Sequence, residues 1–162
     1  MNILIDIGHP GHVHLFRHAA RTWMDHGHRV IITIRDRDII PSLLKAYGFE
    51  FTIASKARSG FLGMSWELVE HDLKVLRIAL AHQADFLLGT SVSAAHVSKI
   101  TRACSIIFNE DDADYVQRFA RLTYPFADAI VIPDCLRDKR TPRYFKQLPG
   151  NLSRKGFVPI RG

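Results

Sequence analysis

Short apolar runs alternate with longer segments of helical period along this chain. Most of the short runs are continuously apolar, as expected for parallel strands that helices cover on both faces. The predicted strands are Asn2–Ile7, Arg29–Arg35, Phe49–Ile53, Asp85–Leu88, Ser105–Phe108 and Ala129–Ile132. Apolar residues at steps of three and four predict helices at Val13–His26, Ile39–Tyr47, Ser65–His82, Ser91–Thr101 and Asp112–Leu122.

The alternation of strands and helices predicts the fold class. Connections this short give right-handed crossovers, so we expect an α/β, Rossmann-like, doubly wound parallel sheet of about six strands. The third helix is expected to turn one apolar stripe toward that sheet, formed by Trp66, Val69, Leu73, Leu76 and Leu80. We expect residues 1–135 to form this domain. The basic, Pro/Gly-containing residues 136–162 are expected to be a tail or a linker to a missing C-terminal domain, in a truncated, frameshifted or naturally short chain.

Composition narrows the class of protein without choosing one. With 162 residues the chain fits one domain, and its two cysteines, Cys104 and Cys135, form neither a CxxC pair nor a metal-binding spacing. A reducing, cytoplasmic location is therefore expected, and no apolar run approaches the length of about 18 residues that spans a bilayer. The formal charge of +6 favours anionic partners. The sequence has no arginine-rich block, zinc-finger spacing or RNA-binding aromatic signature, which argues against nucleic acid.

Three loops at the carboxyl ends of predicted strands form the candidate site, because ligands of open α/β sheets bind there. The first loop lacks both the GxGxxG fingerprint and the GK[ST] of a phosphate-binding loop, which disfavours a dehydrogenase or an NTPase. The loops contain Gly8, His9, Gly11, His12 and His14 after strand one, Gly89, Thr90 and Ser91 after strand four, and Asn109, Glu110, Asp111 and Asp112 after strand five.

Histidines are dense in the first of these loops. A histidine of near-neutral pKa at a helix N-terminus suits a general base, and we favour His9 and His12 because glycine-flanked loops often carry chemistry. Carboxylates of the third loop would orient such a base, although they also suit the start of helix five as a cap and as dipole-favourable acids. Thr90 and Ser91 are expected to cap a helix or to hold a phosphate or sugar hydroxyl, and His14 to lie in the site or on the helix surface.

These loops and their flanks resemble one family. The opening ILIDIGHPGHVHLFRHAA, then GHRVIITIRDRD and YGFEF, and later SAAHVSKI, SIIFNEDDAD and LTYPFADAIVIPD are similar, in order, to a bacterial and archaeal family catalogued as a domain of unknown function and assigned to the GT-B superfamily. More distantly, Gly11-His12-Val13 and Glu110 resemble loops of the N-acetylglucosaminyltransferase that makes lipid II. That enzyme has a glycine-rich loop after strand four, of which this chain matches only Gly89.

The resemblance implies the acceptor-binding, N-terminal half of a GT-B protein whose second Rossmann domain binds a nucleotide-sugar. It implies an inverting glycosyltransferase of surface polysaccharide or glycolipid synthesis, acting on a sugar or a lipid-linked sugar. His12 would be the catalytic base, with Glu110 or Asp111 as its partner. No cofactor or metal is expected, and without a donor domain the chain is expected to be inactive. The residues expected to bind substrate are Gly8, His9, Gly11, His14, Gly89, Thr90, Ser91 and Asn109.

Alternatives stay open. A nucleotide-sugar 2-epimerase has the same fold and needs no acceptor, and a non-catalytic orphan domain needs no site. A metal site would use His12 and His14 with His9 or His18, but no later ligand cluster follows, and the chain is too short for the barrel of the amidohydrolases. A last segment would either touch an anionic membrane face, peripherally, or pack within the protein: Phe61, Leu62, Met64 and Trp66, flanked by Lys56 and Arg58.

Overall fold

The computed structural model describes residues 1–37, 39–56, 59–111, 115–133 and 157–160. The strands are β1 (Asn2–Ile7), β2 (Arg29–Asp36), β3 (Thr52–Lys56), β4 (Phe86–Gly89), β5 (Cys104–Phe108), β6 (Ala129–Pro133) and β7 (Phe157–Ile160). The helices are α1 (Pro10–Asp25), α2 (Ile40–Ala46), α3 (Phe61–Ala81), α4 (Val92–Thr101) and α5 (Gln117–Thr123). These strands form one all-parallel sheet in the order β3-β2-β1-β4-β5-β6-β7.

The predicted Rossmann-like, doubly wound sheet is confirmed. One core cluster packs α1 and α2 on one face of the sheet, around Ile5, Phe16 and Leu44. The other packs α3, α4 and α5 on the opposite face, around Leu4 and Val75. The order of strands reverses beside β1, which lies between β2 and β4. Ligands of such folds bind at this switch point, so the carboxyl ends of β1 and β4 position the candidate site.

Two strands differ from the sequence prediction. The strand predicted at Phe49–Ile53 lies three residues later, at β3, because the Phe49 N–H donates to the Leu44 carbonyl and its side chain packs in the core directly after α2. A seventh strand, β7, comes from the segment predicted as a tail and pairs with β6, Ile130 lying opposite Phe157. The division at residue 135 stays a prediction.

The first helix begins earlier than predicted, and this changes the shape of the first loop. Pro10 occupies the first turn of α1, where its missing N–H costs no hydrogen bond, and His9 is the N-cap. The predicted end at Gly27 agrees with the structure, since Gly27 adopts a φ of 78° just after the last turn. The candidate site therefore lies at the start of α1 itself.

The predicted orientation of α3 is wrong. Four of the five residues expected to face the sheet are exposed, and only Leu76 packs partly against the core; the exposed four are Trp66, Val69, Leu73 and Leu80. The face that does pack on the sheet contains Glu67, His71, Val75 and Ala79. Glu67 and His71 find polar partners in the sheet, so the most apolar face of this helix is not its buried face.

Several sequence predictions fall outside the described residues. These are Arg58, Asp112, Cys135, the segment 134–156 and the side chains of Phe61 and Leu62. Among the residues that are described, no helix has the length and apolar character needed to cross a membrane.

Candidate functional site

The side chain of His12 is the centre of the candidate site. It lies in the first turn of α1 and is buried, although it faces the edge where β1, β4 and β5 end. The Thr90 hydroxyl oxygen lies 2.5 Å from its Nδ1 and 3.0 Å from its Nε2. A carboxylate oxygen of Glu110 lies 3.4 Å from Nε2. All three predicted loops therefore contribute to one group: histidine, hydroxyl and carboxylate.

Burial sets the protonation of His12. It lowers the pKa of the imidazole below its ordinary value, while the charge of Glu110 works in the opposite direction without reversing the shift. The neighbouring His9 ring, 5.6 Å away between centroids, also lowers the pKa. At neutral pH the ring is thus unprotonated and able to accept a proton. In the tautomer in which Nδ1–H donates to Thr90, Nε2 presents its lone pair beside Glu110.

His9 shapes the loop that carries this base. Its Nδ1 accepts a hydrogen bond from the backbone N–H of Gly11 at 3.2 Å, which caps α1 with an imidazole in place of the usual hydroxyl or carboxylate. The His9 ring itself is exposed. A Cβ on Gly8 would meet nothing within 4 Å, so the space above this loop is open. His9 and Gly8 together form the rim of the site.

The loop after β4 is held by a close backbone contact. A Cβ at Gly89 would lie 2.5 Å from the carbonyl oxygen of Asp6 in the neighbouring strand β1, a distance that only glycine allows. The two residues that follow Gly89 contact different partners. Thr90 turns to His12, and the Ser91 hydroxyl accepts the N–H of Ala94 as the N-cap of α4. Gly89 and Ser91 thus place Thr90.

The remaining predicted site residues are less central. Asn109 is buried, its amide donating to the Tyr124 hydroxyl at 2.5 Å and its carbonyl oxygen accepting the N–H of Asp111 at 3.2 Å. These bonds fix the loop that presents Glu110. The exposed His14 points to α2, where its Nδ1 lies 3.3 Å from the Tyr47 hydroxyl. The structure therefore brings Glu110, and not His14, to His12.

One group of side chains has the composition of a metal site. His9, His12 and Glu110 each offer a ligand atom, and these atoms lie within 4.8 Å of one another. Two imidazoles and a carboxylate suit zinc. However, Nδ1 of His9 already caps α1, and both nitrogens of His12 lie near Thr90. The hydrogen bonds in the structure are those of an oriented base.

A buried carboxylate beneath the site escaped the sequence analysis. Asp6 is fully buried in β1, where the Thr33 hydroxyl donates to it at 2.7 Å and His71 Nε2 lies 2.9 and 3.0 Å from its two oxygens. The nearby Ser91 hydroxyl also lowers the pKa of this carboxyl. The signal in the sequence is a single acidic residue in an otherwise apolar strand. Its partner Thr33 lies directly opposite in β2.

The hydrogen-bond network continues from Asp6 to β3, the outermost strand on that side of the sheet. Nδ1 of His71 lies 2.7 Å from the Ser55 hydroxyl, which donates to a Glu67 carboxylate oxygen at 3.5 Å. Arg35 holds the same carboxylate with two hydrogen bonds, the one from Nη2 to Oε2 measuring 2.9 Å. The resulting chain of polar side chains ties β1, β2, β3 and α3 together below the loops of the site.

Asp6 and His71 shift each other toward their charged forms. Burial alone would raise the pKa of Asp6, but the positive charge of His71 and the hydrogen bonds from its neighbours lower it. Burial alone would lower the pKa of His71, but the charge of Asp6 and the hydrogen bond to it raise it. When His71 is protonated, the two form a buried ion pair whose members make further hydrogen bonds.

Comparisons with known proteins agree with this architecture. The UDP-GlcNAc 2-epimerase from Neisseria meningitidis bound to UDP-GlcNAc superposes with a TM-score of 0.71 at 12% identity, over 98% of this chain and 46% of that one. HepE of Anabaena in complex with UDP and glucose gives 0.64 at 18% identity, over 98% and 44%. MurG of Acinetobacter baumannii gives 0.64 at 12% identity, over 82% and 41%. The chain spans less than half of the length of each of these proteins and shares the fold of the part that it covers.

Sequence comparison gives a family without a function. The family described as "Protein of unknown function (DUF354)" matches residues 1–154. No curated protein matches the sequence.

Proposed function

This chain belongs to that family of unknown function, and from this premise we propose that it is the acceptor-binding half of an inverting glycosyltransferase. The observation that carries the proposal is the group formed by His12, Thr90 and Glu110 at the switch point of the sheet. A neutral histidine beside an exposed carboxylate is suited to removing the proton of an acceptor hydroxyl. The fold, shared with part of an epimerase bound to UDP-GlcNAc and part of HepE in complex with UDP and glucose, supports the substrate class.

In the proposed mechanism His12 is the general base. Thr90 orients the ring through Nδ1, Nε2 lies near Glu110, and the acceptor binds beside Nε2 in this proposal. As the hydroxyl oxygen attacks the anomeric carbon of the donor sugar, its proton passes to Nε2. Glu110 then stabilises the imidazolium, because its carboxylate oxygen lies close to that nitrogen. The bond that breaks joins the anomeric carbon to the nucleotide diphosphate, which leaves with the electron pair.

The donor site belongs to a second domain in this proposal. A nucleotide-sugar such as those named with the similar structures would bind to a partner Rossmann domain, in the same polypeptide or in another. The product would be a sugar chain or glycolipid of the cell surface, made on the cytoplasmic side. The 162-residue chain alone would then bind an acceptor and show no turnover.

The test is turnover by a polypeptide that joins this domain to a donor-binding domain. With UDP- or dTDP-sugars and a panel of sugar and glycolipid acceptors, we expect nucleotide release that depends on acceptor. His12→Ala should lower kcat by about 100-fold or more, the usual contribution of a general base. His18→Ala is the matched control, because His18 is an exposed histidine on the same helix. Equal turnover by the two variants would exclude His12 as the base.

A 2-epimerase is the second candidate, favoured by one observation. The epimerase from Methanocaldococcus jannaschii superposes with a TM-score of 0.72 over 99% of the chain, above the values for the glycosyltransferase-like neighbours. An epimerase converts UDP-GlcNAc without an acceptor. Product formed from the nucleotide-sugar alone, detected by NMR, would therefore replace the transferase proposal with this one.

A further inference from the structure

Helix α3 has an apolar surface on its outer side, away from the sheet. Its members are Trp66, Val69, Leu73 and Leu80, which are 62%, 50%, 50% and 56% exposed. The opposite side of the helix packs against the core through Val75 and Ala79. Scattered exposed apolar residues are ordinary, but four in line along one helix are typical of an interaction surface.

The spacing of this outer stripe is that of a helix which pairs with another helix. Trp66, Leu73 and Leu80 are seven residues apart, and Val69 lies three after Trp66. With Trp66 at position a of a heptad, Leu73 and Leu80 are also at a and Val69 is at d, positions that form the seam between two supercoiled helices. Leu76, at the second d position, packs partly against the core, so the exposed seam consists of the three a positions and Val69. The partner surface that fits such a seam is another helix with an apolar stripe of the same period.

The stripe fits the same stripe of a second copy of α3 that runs in the opposite direction. Trp66 and Leu80 are equally far from Leu73, so two copies of α3 that cross antiparallel at Leu73 place Trp66 of one beside Leu80 of the other. In such a two-fold pair the same flanks of both helices meet. That flank contains Glu70 and Arg77, both at heptad position e and on opposite sides of the centre. Glu70 of one copy therefore meets Arg77 of the other, twice in the dimer.

We propose that α3 is the interface of a two-fold homodimer of this chain, with the outer stripe of each copy packed antiparallel against that of the other. The charges on the flank favour a second copy over a membrane. An anionic membrane selects a uniformly basic border, whereas this border carries Glu70 as well as Lys74 and Arg77, the carboxylate of Asp72 being bonded to His96 of α4. The dimer leaves the site free, because His12 lies on α1 and Thr90 and Glu110 lie in loops, so that none of the three is on α3.

The experiment is sedimentation velocity of the 162-residue chain over a range of concentrations. We expect a reversible dimer that is lost in Leu73→Glu, since the change places two like charges at the centre of the seam. The matched control is Met24→Glu, because Met24 is a similarly exposed apolar residue on α1, across the sheet. Circular dichroism should give the same helix content for all variants. A chain that is monomeric at every concentration, or a dimer that survives Leu73→Glu, would overturn the proposal.

A charge exchange tests the antiparallel arrangement itself. Arg77→Glu should weaken the dimer by about tenfold, because two attractive pairs become repulsive. The double variant Glu70→Arg/Arg77→Glu restores opposite charges across the two-fold axis and should recover the dimer. A double variant weaker than the single one would contradict the arrangement. Flotation with vesicles of anionic lipid, lost in Leu73→Glu while the chain stays monomeric, would assign the stripe to a membrane instead.

Discussion

Two histidine–carboxylate pairs lie near the carboxyl ends of the central strands and differ in the burial of their carboxylates. His12 and Glu110 are 3.4 Å apart, and the Glu110 side chain is 58% exposed. His71 and Asp6 are 2.9 Å apart, and the Asp6 side chain is 1% exposed. Both histidines are buried, and burial acts to lower the pKa of both. Nevertheless, the pKa of His12 is lowered and that of His71 is raised.

The difference shows that the surroundings of the carboxylate decide the state of the histidine. Water screens the charge of Glu110, so the burial of His12 prevails and the ring stays neutral. The charge of Asp6 acts through the protein interior, where it outweighs the burial of His71 and holds an imidazolium. The first pair is thereby suited to exchanging a proton and the second to holding the loops in place.

The largest expected effect is on the buried pair. Asp6→Asn removes the partner of the buried His71, which must then give up its proton or stay charged without a partner, and should lower the free energy of unfolding by about 3–5 kcal/mol. Glu110→Gln is the matched removal of a carboxylate charge from an exposed position and should change it by less than about 0.5 kcal/mol. Urea unfolding at neutral pH measures both. Equal losses of unfolding free energy in the two variants would mean that the burial of the carboxylate does not set how much each pair contributes.

The next effect concerns the contact between the strands that carry the two pairs. Gly89→Ala sets a Cβ 2.5 Å from the Asp6 carbonyl, so β1 and β4 must move apart. Overpacking of this kind should cost about 1–3 kcal/mol in urea unfolding. Gly8→Ala is the control, since a Cβ there meets nothing within 4 Å and the stability should be nearly unchanged. A tolerated Gly89→Ala would show that the strands have room to separate.

A third histidine–carboxylate pair has an exposure intermediate between those of the other two. His96 Nδ1 is 2.9 Å from Asp72, and both side chains are 25% exposed. The hydrogen bond to Asp72 raises the pKa of His96. Asp72→Asn should cost about 0.5–1 kcal/mol, well below the loss at Asp6, because half-exposed pairs are screened. Thermal unfolding monitored by circular dichroism would detect this, and a loss as large as that of Asp6→Asn would contradict the ranking by burial.

The smallest effect is a displacement of titration curves. NMR titration of the imidazoles should place the pKa of His71 above 6.5 and that of His12 below it. His71 therefore adds stability that is complete below pH 6.5 and is lost as the pH rises through its folded pKa. For His12 the sign is opposite, since stability is lost as the pH falls below 6.5. Glu110→Gln should lower the pKa of His12 further, and an unchanged pKa would show that the carboxylate does not act on the ring.

The hydrophobic pattern predicts most of the helices and strands, and the positions of the loops predict which exposed residues meet at the candidate site. The glycine- and histidine-rich first loop and Glu110 could be placed at one edge because parallel strands end together. The orientation of α3 could not be predicted, because Glu67 and His71 are buried through partners on distant strands. Nor does periodicity indicate that Phe49 packs after α2 and delays β3, or that residues 157–160 extend the sheet.

The hydrogen-bonded floor of Asp6, Thr33 and His71 has a consequence for how this site changes under mutation. The floor fixes the backbone of the loops, while Gly8 and the exposed side chain of Glu110 above it have little packing around their outer surface. Substitutions at Gly8 should therefore cost little stability, whereas a change at His9 would also remove the cap of α1. Libraries that vary Gly8 and keep the floor should yield folded variants with an altered opening of the site, which libraries that vary the floor should not.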